Sequence, residues 1–299
     1  MNGSQYHLLK TRRFLPLLVT VLLGAANDNV FKNALLILIL FSLGQEAPME
    51  ETVLVTVASA IFILPFFIFS ATAGQLADKY EKSGMIRWIK FAEVLIMGAG
   101  VAALQFGDVY WLLGVLFLMG VQSAFFGPLK YSILPTLLRK DELIGGNAFV
   151  EAGTFLAILI GTIVGGLTAG WEYGVNGVAA IVFGLAVIGW ICSYGIPQAP
   201  ASQPSLKVNY NIATQTFRIV DRIRKDRPVF RSILGISWFW LVGIMLLTQV
   251  PNLAKSNFKN PSGHLTQRSL LLLRSHIVRT PADLSNVSKT QGRVADSSH

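Results

Sequence analysis

The sequence predicts an all-α polytopic membrane protein, and three observations predict it. Hydrophobic residues make up 53% of the 299 and charged residues only 14%, with a mean hydropathy of +0.54, whereas a typical soluble domain is about one quarter charged. Seven segments are apolar over a length that crosses a hydrocarbon core, which takes about 20 helical residues. Lys and Arg fall on alternate connections between those segments, as they do when one side of a membrane is favoured.

The spans are expected at Phe14–Leu43, Thr52–Ala77, Met85–Phe106, Tyr110–Leu129, Ala148–Gly170, Gly177–Ile196 and Val229–Pro251. Lys10, Arg12 and Arg13 ahead of Phe14–Ala26, with Gly24-Ala25-Ala26 behind, have the form of a signal peptide. The apolar run resumes at Leu35–Leu43 and six spans follow, so the first segment reads as an uncleaved helix. Connections on one side carry Lys10, Arg12, Arg13, Lys79, Lys82, Arg87, Lys90, Lys130, Arg139 and Lys140. Those on the other side, Gly44–Glu51, Gly107–Val109 and Trp171–Asn176, carry no Lys or Arg. That bias places the N-terminus in the cytoplasm. Tyr110, Trp111, Trp171 and Tyr173 on one side, with Trp88 and Tyr194 on the other, suit interfacial aromatic belts.

The net charge of +9 and pI near 9.8 do not indicate nucleic acid, because a binding domain clusters its cations on one polar face. Cys192 is the single cysteine, which excludes an intrachain disulfide. His7, His264, His276 and His299 sit near the ends of the chain, so neither a zinc site nor a buried histidine relay is expected. No phosphate loop, hydrolase carboxylate pair or nucleophile elbow is present, so neither an enzyme nor a cofactor is expected.

Ionisable groups inside a span are costly unless they face a cavity or a partner. Asp28 is one, about 14 residues into the first span and so roughly 21 Å deep. It fits either a contact to substrate or a coupled cation, or an ion pair with Lys32 one helical turn on. Lys130 and Glu151, at the ends of the fourth and fifth spans, fit either a charged binding pair or a structural pair reaching the interface. Glu93 and Gln122 read as interhelical hydrogen-bonding groups. Gly153, Gly161, Gly165, Gly166 and Gly170 read as a packing stripe, and Gly24, Gly98, Gly100, Gly114 and Gly120 as chemically silent.

Gly74-Gln75-Leu-Ala-Asp78-Lys79, between the second and third spans, resembles the loop signature of the major facilitator superfamily. The continuation Lys79-Tyr-Glu-Lys-Ser-Gly84-Met-Ile-Arg87 is longer than the usual Arg-x-Gly-Arg. The resemblance implies a gate in which Gly74, Gln75, Asp78 and Arg87 take part. Asn27-Asp28-Asn29, Gly127-Pro128-Leu-Lys130-Tyr131-Ser-Ile-Leu134 and Gly146-Asn147-Ala-Phe-Val-Glu151-Ala-Gly153 further resemble the bacterial lysophospholipid transporters, over roughly residues 14–258. That resemblance implies movement of lysophospholipid between leaflets of the inner membrane for reacylation. It also implies the membrane lipid itself as partner and an acyltransferase as a partner or fused domain. A zwitterionic head group needs a cation and an anion, which Lys130 with Glu151 or Asp28 would supply; Asn29 belongs to the same set. A proton-coupled efflux transporter and a membrane anchor for a fused acyltransferase are the other readings.

The expected organisation is a six-helix half at 1–196, a linker at 197–228, a seventh helix at 229–258 and a tail at 259–299. The linker ends in the basic run Phe217–Arg227, which also suits an amphipathic helix on anionic lipid. The residues after Pro251 hold seven Lys or Arg and two Asp, and no aromatic residue follows Phe258. They would place cations on the wrong side of the membrane. The expectation is a half transporter plus one helix, with a tail that is either disordered or foreign to the transporter.

Overall fold

The computed structural model describes residues 5–43, 49–171, 173–209, 211–239 and 241–242. A short 3-10 turn, Gln5–Lys10, leads into α1 (Leu15–Phe41). The chain continues through α2 (Glu51–Lys79), α3 (Lys82–Phe106), α4 (Val109–Ser132), the single turn α5 (Leu134–Leu137), α6 (Leu143–Ala169), α7 (Gly174–Ser193) and α8 (Ile212–Lys225). Six of these, α1 to α4, α6 and α7, are long and apolar enough to cross a membrane. Residues 229–239 and 241–242 of the expected seventh span are helical; the rest of that span and residues 259–299 lie outside the described residues. The described residues up to Val220 form one compact unit, and the described residues from Asp221 belong to a second.

Local chemistry fixes the helix ends. Asp108 caps α4 by accepting from the Tyr110 and Trp111 amides at 2.7 and 3.1 Å. Glu81 caps α3, accepting from the Ser83 and Gly84 amides, so α3 begins three residues before the expected Met85. Gly107 closes α3 at φ 70°, a left-handed conformation that suits glycine. The fifth span starts at Leu143, five residues before Ala148, because Gly146 and Asn147 continue the helix: the Gly146 amide bonds Glu142 O and the Asn147 side chain bonds Leu143 O.

Within the first unit, α1 packs chiefly against α6 and α7, and α4 against α2 and α3. The α1–α6 approach needs small residues. A Cβ on Gly161 would lie 2.6 Å from Ala26 O, and one on Gly165 would collide with Val30 O. Gly166 and Gly170 meet no neighbouring helix, so the packing stripe is narrower than its glycines suggest. Gly120 is not silent: its Cβ would fall 3.1 Å from Pro65 Cγ, which lets α4 lie against α2. In lipid such close van der Waals approach is a main source of helix association.

Two apolar clusters fill the interior. One holds Phe31, Leu35, Met97, Leu104, Leu112, Leu116 and Val182. The other holds Phe14, Leu17, Ile86, Phe126, Leu129, Leu134 and Val150. In α1, α3 and α4 alike, the stretch between the two clusters carries buried polar side chains: Asn27 and Asn29, Lys90 and Glu93, and Gln122.

The N-terminal turn is tied to the α5–α6 connection by Glu142, whose side chain is 1% exposed. Glu142 accepts from Arg13 at 2.6 Å, from the Arg139 amide at 2.9 Å and from the Arg139 side chain at 3.3 Å, and lies 3.0 Å from His7 Nε2. Burial raises its pKa, but the Arg139 amide, Arg13 and His7 outweigh that and hold it at about 2. A carboxylate held below its ordinary value stabilises the fold above about pH 4.5, and the contribution is lost as pH falls through about 2. Hydrogen-exchange protection at residues 5–15, taken relative to the intrinsic rate at each pH, is therefore expected to stay high at pH 5 and to fall towards pH 2, with Glu142→Gln already poorly protected at pH 5.

Candidate functional site

The residues between the apolar clusters build a hydrogen-bonded layer on Glu93. Its carboxylate is 2% exposed and pairs with Lys90, itself 1% exposed, at 2.6 Å. It also accepts from Asn27 of α1 at 2.9 Å and Gln122 of α4 at 3.0 Å. Three helices thus donate to one carboxylate. The layer continues along α4, where Ser123 Oγ lies 2.5 Å from Asp28 Oδ2 and 3.1 Å from Gln122 Oε1. The Asp28 Oδ1 atom is buried without a hydrogen-bond partner.

Lys90 does not belong with the interfacial cations where its sequence position put it. It is buried inside α3, with Nζ 4.7 Å from the centre of the Phe126 ring. Gly24 makes room for it, since a Cβ there would collide with Lys90 Nζ; the glycine read as silent is a clearance for a charge. Two signals were present in the sequence: Lys90 lies three residues before Glu93, the spacing of neighbours on a helix face, and both stand in an apolar run.

The other expected site residues divide. Asp28 and Lys32 make no ion pair within 4.0 Å; Asp28 meets Ser123, and Lys32 donates to Asn29 at 3.1 Å and lies over the Phe62 ring at 5.4 Å. Asn29 is buried and donates to Ala25 O, so its amide serves its own helix and Lys32. Glu151 accepts from Tyr131 instead of pairing with Lys130. Lys130 is nevertheless within electrostatic reach of both Glu151 and Asp28, which brings groups from α1, α4 and α6 together.

The residues of the loop signature hold a strap of chain. Gln75 clamps the Asn209 peptide unit from both sides, donating to its carbonyl at 3.1 Å and accepting from its amide at 2.8 Å. Asp78 O accepts from the Gln203 amide at 2.8 Å, and Lys82, fully buried, donates to Pro200 O and Ser202 Oγ at 3.0 and 2.8 Å. Glu81 accepts from the Ala199 amide, and Arg87 donates to Ile196 O at 3.2 Å. Burial raises the Glu81 pKa, but Ser83, Ala199 and Gly84 donate strongly enough to pull it below its ordinary value. Arg87 makes no hydrogen bond or ion pair with Asp78, and a Cβ on Gly74 would meet nothing within 4 Å. The loop between α2 and α3 therefore grips residues 196–209, not a neighbouring helix end.

This architecture of six long apolar helices and a gripped loop agrees with the comparison to known families. Residues 17–265 match the family model described as Major Facilitator Superfamily. The chain belongs to the major facilitator superfamily. A protein of Serratia proteamaculans (strain 568) named Lysophospholipid transporter LplT is 31% identical over 240 residues, covering 80% of this chain and 56% of that protein. Proteins of the same name from Enterobacter sp. (strain 638) and Pectobacterium carotovorum subsp. carotovorum (strain PC1) are 29% and 30% identical, each over 62% of this chain. The chain spans about half the length of the curated relatives it matches. No solved structure matches.

Removing one member of a buried ion pair strands the other and costs several kcal/mol, whereas replacing both costs far less. Lys90→Met and Glu93→Gln are each expected to destabilise the protein in detergent by about 3 kcal/mol, with the double variant recovering most of that, as read by a double-mutant cycle of unfolding free energies. In the strap, Gln75→Ala is expected to speed tryptic cleavage after the exposed Lys207 several-fold without changing helical content.

Proposed function

We propose that this chain carries part of the path of a lysophospholipid transporter of the bacterial inner membrane, its N-terminus cytoplasmic, working by rocking-type alternating access. The observation that carries the reading is that Lys130 lies within electrostatic reach of two carboxylates, Glu151 and Asp28, on different helices. A zwitterionic head group presents the complementary pattern: phosphate for Lys130, ammonium for Glu151 or Asp28. Asn29 fixes Lys32 beside that set. The name carried by the relatives gives the substrate class its independent support. Gly74, Gln75, Asp78 and Arg87 act at the linker-side gate, with Gln75, Asp78 and Arg87 working through the strap they hold. An acyltransferase that reacylates the delivered lipid is the partner this reading calls for. Residues 197–228 serve as linker. Within it α8 sets Ile219 and Ile223 on one face and Arg218, Arg222 and Lys225 on another, the pattern of a helix lying on anionic lipid.

One observation favours a coupled variant of the same reading. The partnerless buried oxygen of Asp28 suits a group that takes up a proton or a cation during the cycle.

Binding of fluorescent lysophosphatidylethanolamine to the purified chain in nanodiscs tests the assignment. Lys130→Ala is expected to weaken binding about tenfold, the equivalent of about 1.4 kcal/mol, while Lys130→Arg retains it. Unchanged binding in both Lys130→Ala and Glu151→Ala would remove these residues from the site.

A further inference from the structure

A second lipid-facing feature lies outside the charged interior. Where α3 begins and α7 ends, a recess of about 350 Å³ is lined by Gly84, Arg87, Trp88, Phe91, Trp190 and Tyr194. Its aromatic rings form a continuous chain of contacts: Trp88 to Phe91 at 6.1 Å, Phe91 to Trp190 at 5.3 Å, and Trp190 to Tyr194 at 5.7 Å between ring centres. Trp88 and Tyr194 are 73% and 58% exposed, so the outer wall is open to whatever surrounds the helices.

The charge balance is one-sided. The Arg87 guanidinium lies 5.4 Å from the Tyr194 ring centre and makes one hydrogen bond, to Ile196 O, while its Nε is buried without a partner. No carboxylate lies within 4.0 Å of it among the described residues. The two acidic groups nearest in sequence are both taken up: Glu81 by the Ser83 and Gly84 amides, the Ser83 hydroxyl and the Ala199 amide, and Glu93 by Lys90, Asn27 and Gln122. A guanidinium at a membrane interface with open donors matches a phosphate, and aromatic walls match glycerol and the upper acyl chains.

We propose that this recess binds a phospholipid of the surrounding leaflet, its phosphate on Arg87 and its apolar part against Trp88, Phe91 and Trp190. The site is separate from the Asp28, Lys130 and Glu151 set, which stands on α1, α4 and α6, and it does not depend on the transported substrate. A lipid held there ties α3 to α7 at the end of the bundle where Arg87 also holds the strap.

Native mass spectrometry of the full chain released from detergent tests the site with three probes: phosphatidylglycerol, dioleoylglycerol and glycerol 3-phosphate. One tightly retained phosphatidylglycerol is expected, weakened about tenfold by Arg87→Gln and also weakened by Trp88→Leu, a change on an exposed side chain that leaves the helix contacts in place. Dioleoylglycerol is expected to bind weakly and glycerol 3-phosphate not to compete. Retention of phosphatidylglycerol by both variants at the wild-type level would overturn the proposal. So would equal retention of dioleoylglycerol, which marks a greasy patch, or displacement by glycerol 3-phosphate, which marks a free-anion site.

Discussion

The Glu93 carboxylate is the constraint on which the described bundle turns. A charge buried among membrane helices has no water to fall back on, so each of its lone pairs needs a protein donor. Lys90, Asn27 and Gln122 supply them from α3, α1 and α4. Apolar contacts between membrane helices are weakly directional, because lipid chains are as apolar as leucine. The three donors define what those contacts leave loose: the rotation and register of α1, α3 and α4 about a common point. Gly24 belongs to the same device, since Lys90 reaches Glu93 through the space a side chain would occupy.

Much of the fold was legible in the sequence because length and hydropathy alone decide what can span a bilayer. All six expected spans over the first 196 residues appear as helices, with ends shifted by capping groups such as Glu81 that a hydropathy window averages away. The site was less legible. Asp28, Lys130 and Glu151 stood out because each is a charge in or beside an apolar run, but their partners did not. Spacing offered Lys32 for Asp28, and position at the span ends offered Glu151 for Lys130, while the fold gives Ser123 of α4 to Asp28 and Tyr131 of α4 to Glu151. Lys90 was misplaced for a physical reason: near a helix end, a lysine that snorkels outward and one that turns inward have the same sequence signature.

The same ambiguity extends to the other cations on the linker side. The bias of Lys and Arg there reads as a record of orientation, yet several of these residues are structurally committed. Arg13 and Arg139 converge on Glu142 and so fix the N-terminal turn against the start of α6. Lys82 and Arg87 bond the main-chain oxygens of Pro200 and Ile196. A cation is well suited to this task at the end of a bundle, because carbonyls left unpaired by an extended segment are acceptors in need of donors. The charges that read as a record of orientation are therefore also the ones that fix the chain at this end of the bundle.

That double use gives the loop signature a mechanical sense in this chain. A gate built on a direct Asp78–Arg87 bond would respond only to the separation of α2 and α3. Here Gln75 and Asp78, at the end of α2, and Arg87, in α3, each hold a different point of the same strap, at Asn209, Gln203 and Ile196. Relative movement of the two helix ends must then stretch or release residues 196–209. Movement of that segment is conversely felt at both helices, since coupling free energies are reciprocal. The longer connection after Asp78 is what makes this arrangement possible, because it carries Glu81 and Lys82, which grip the middle of the strap.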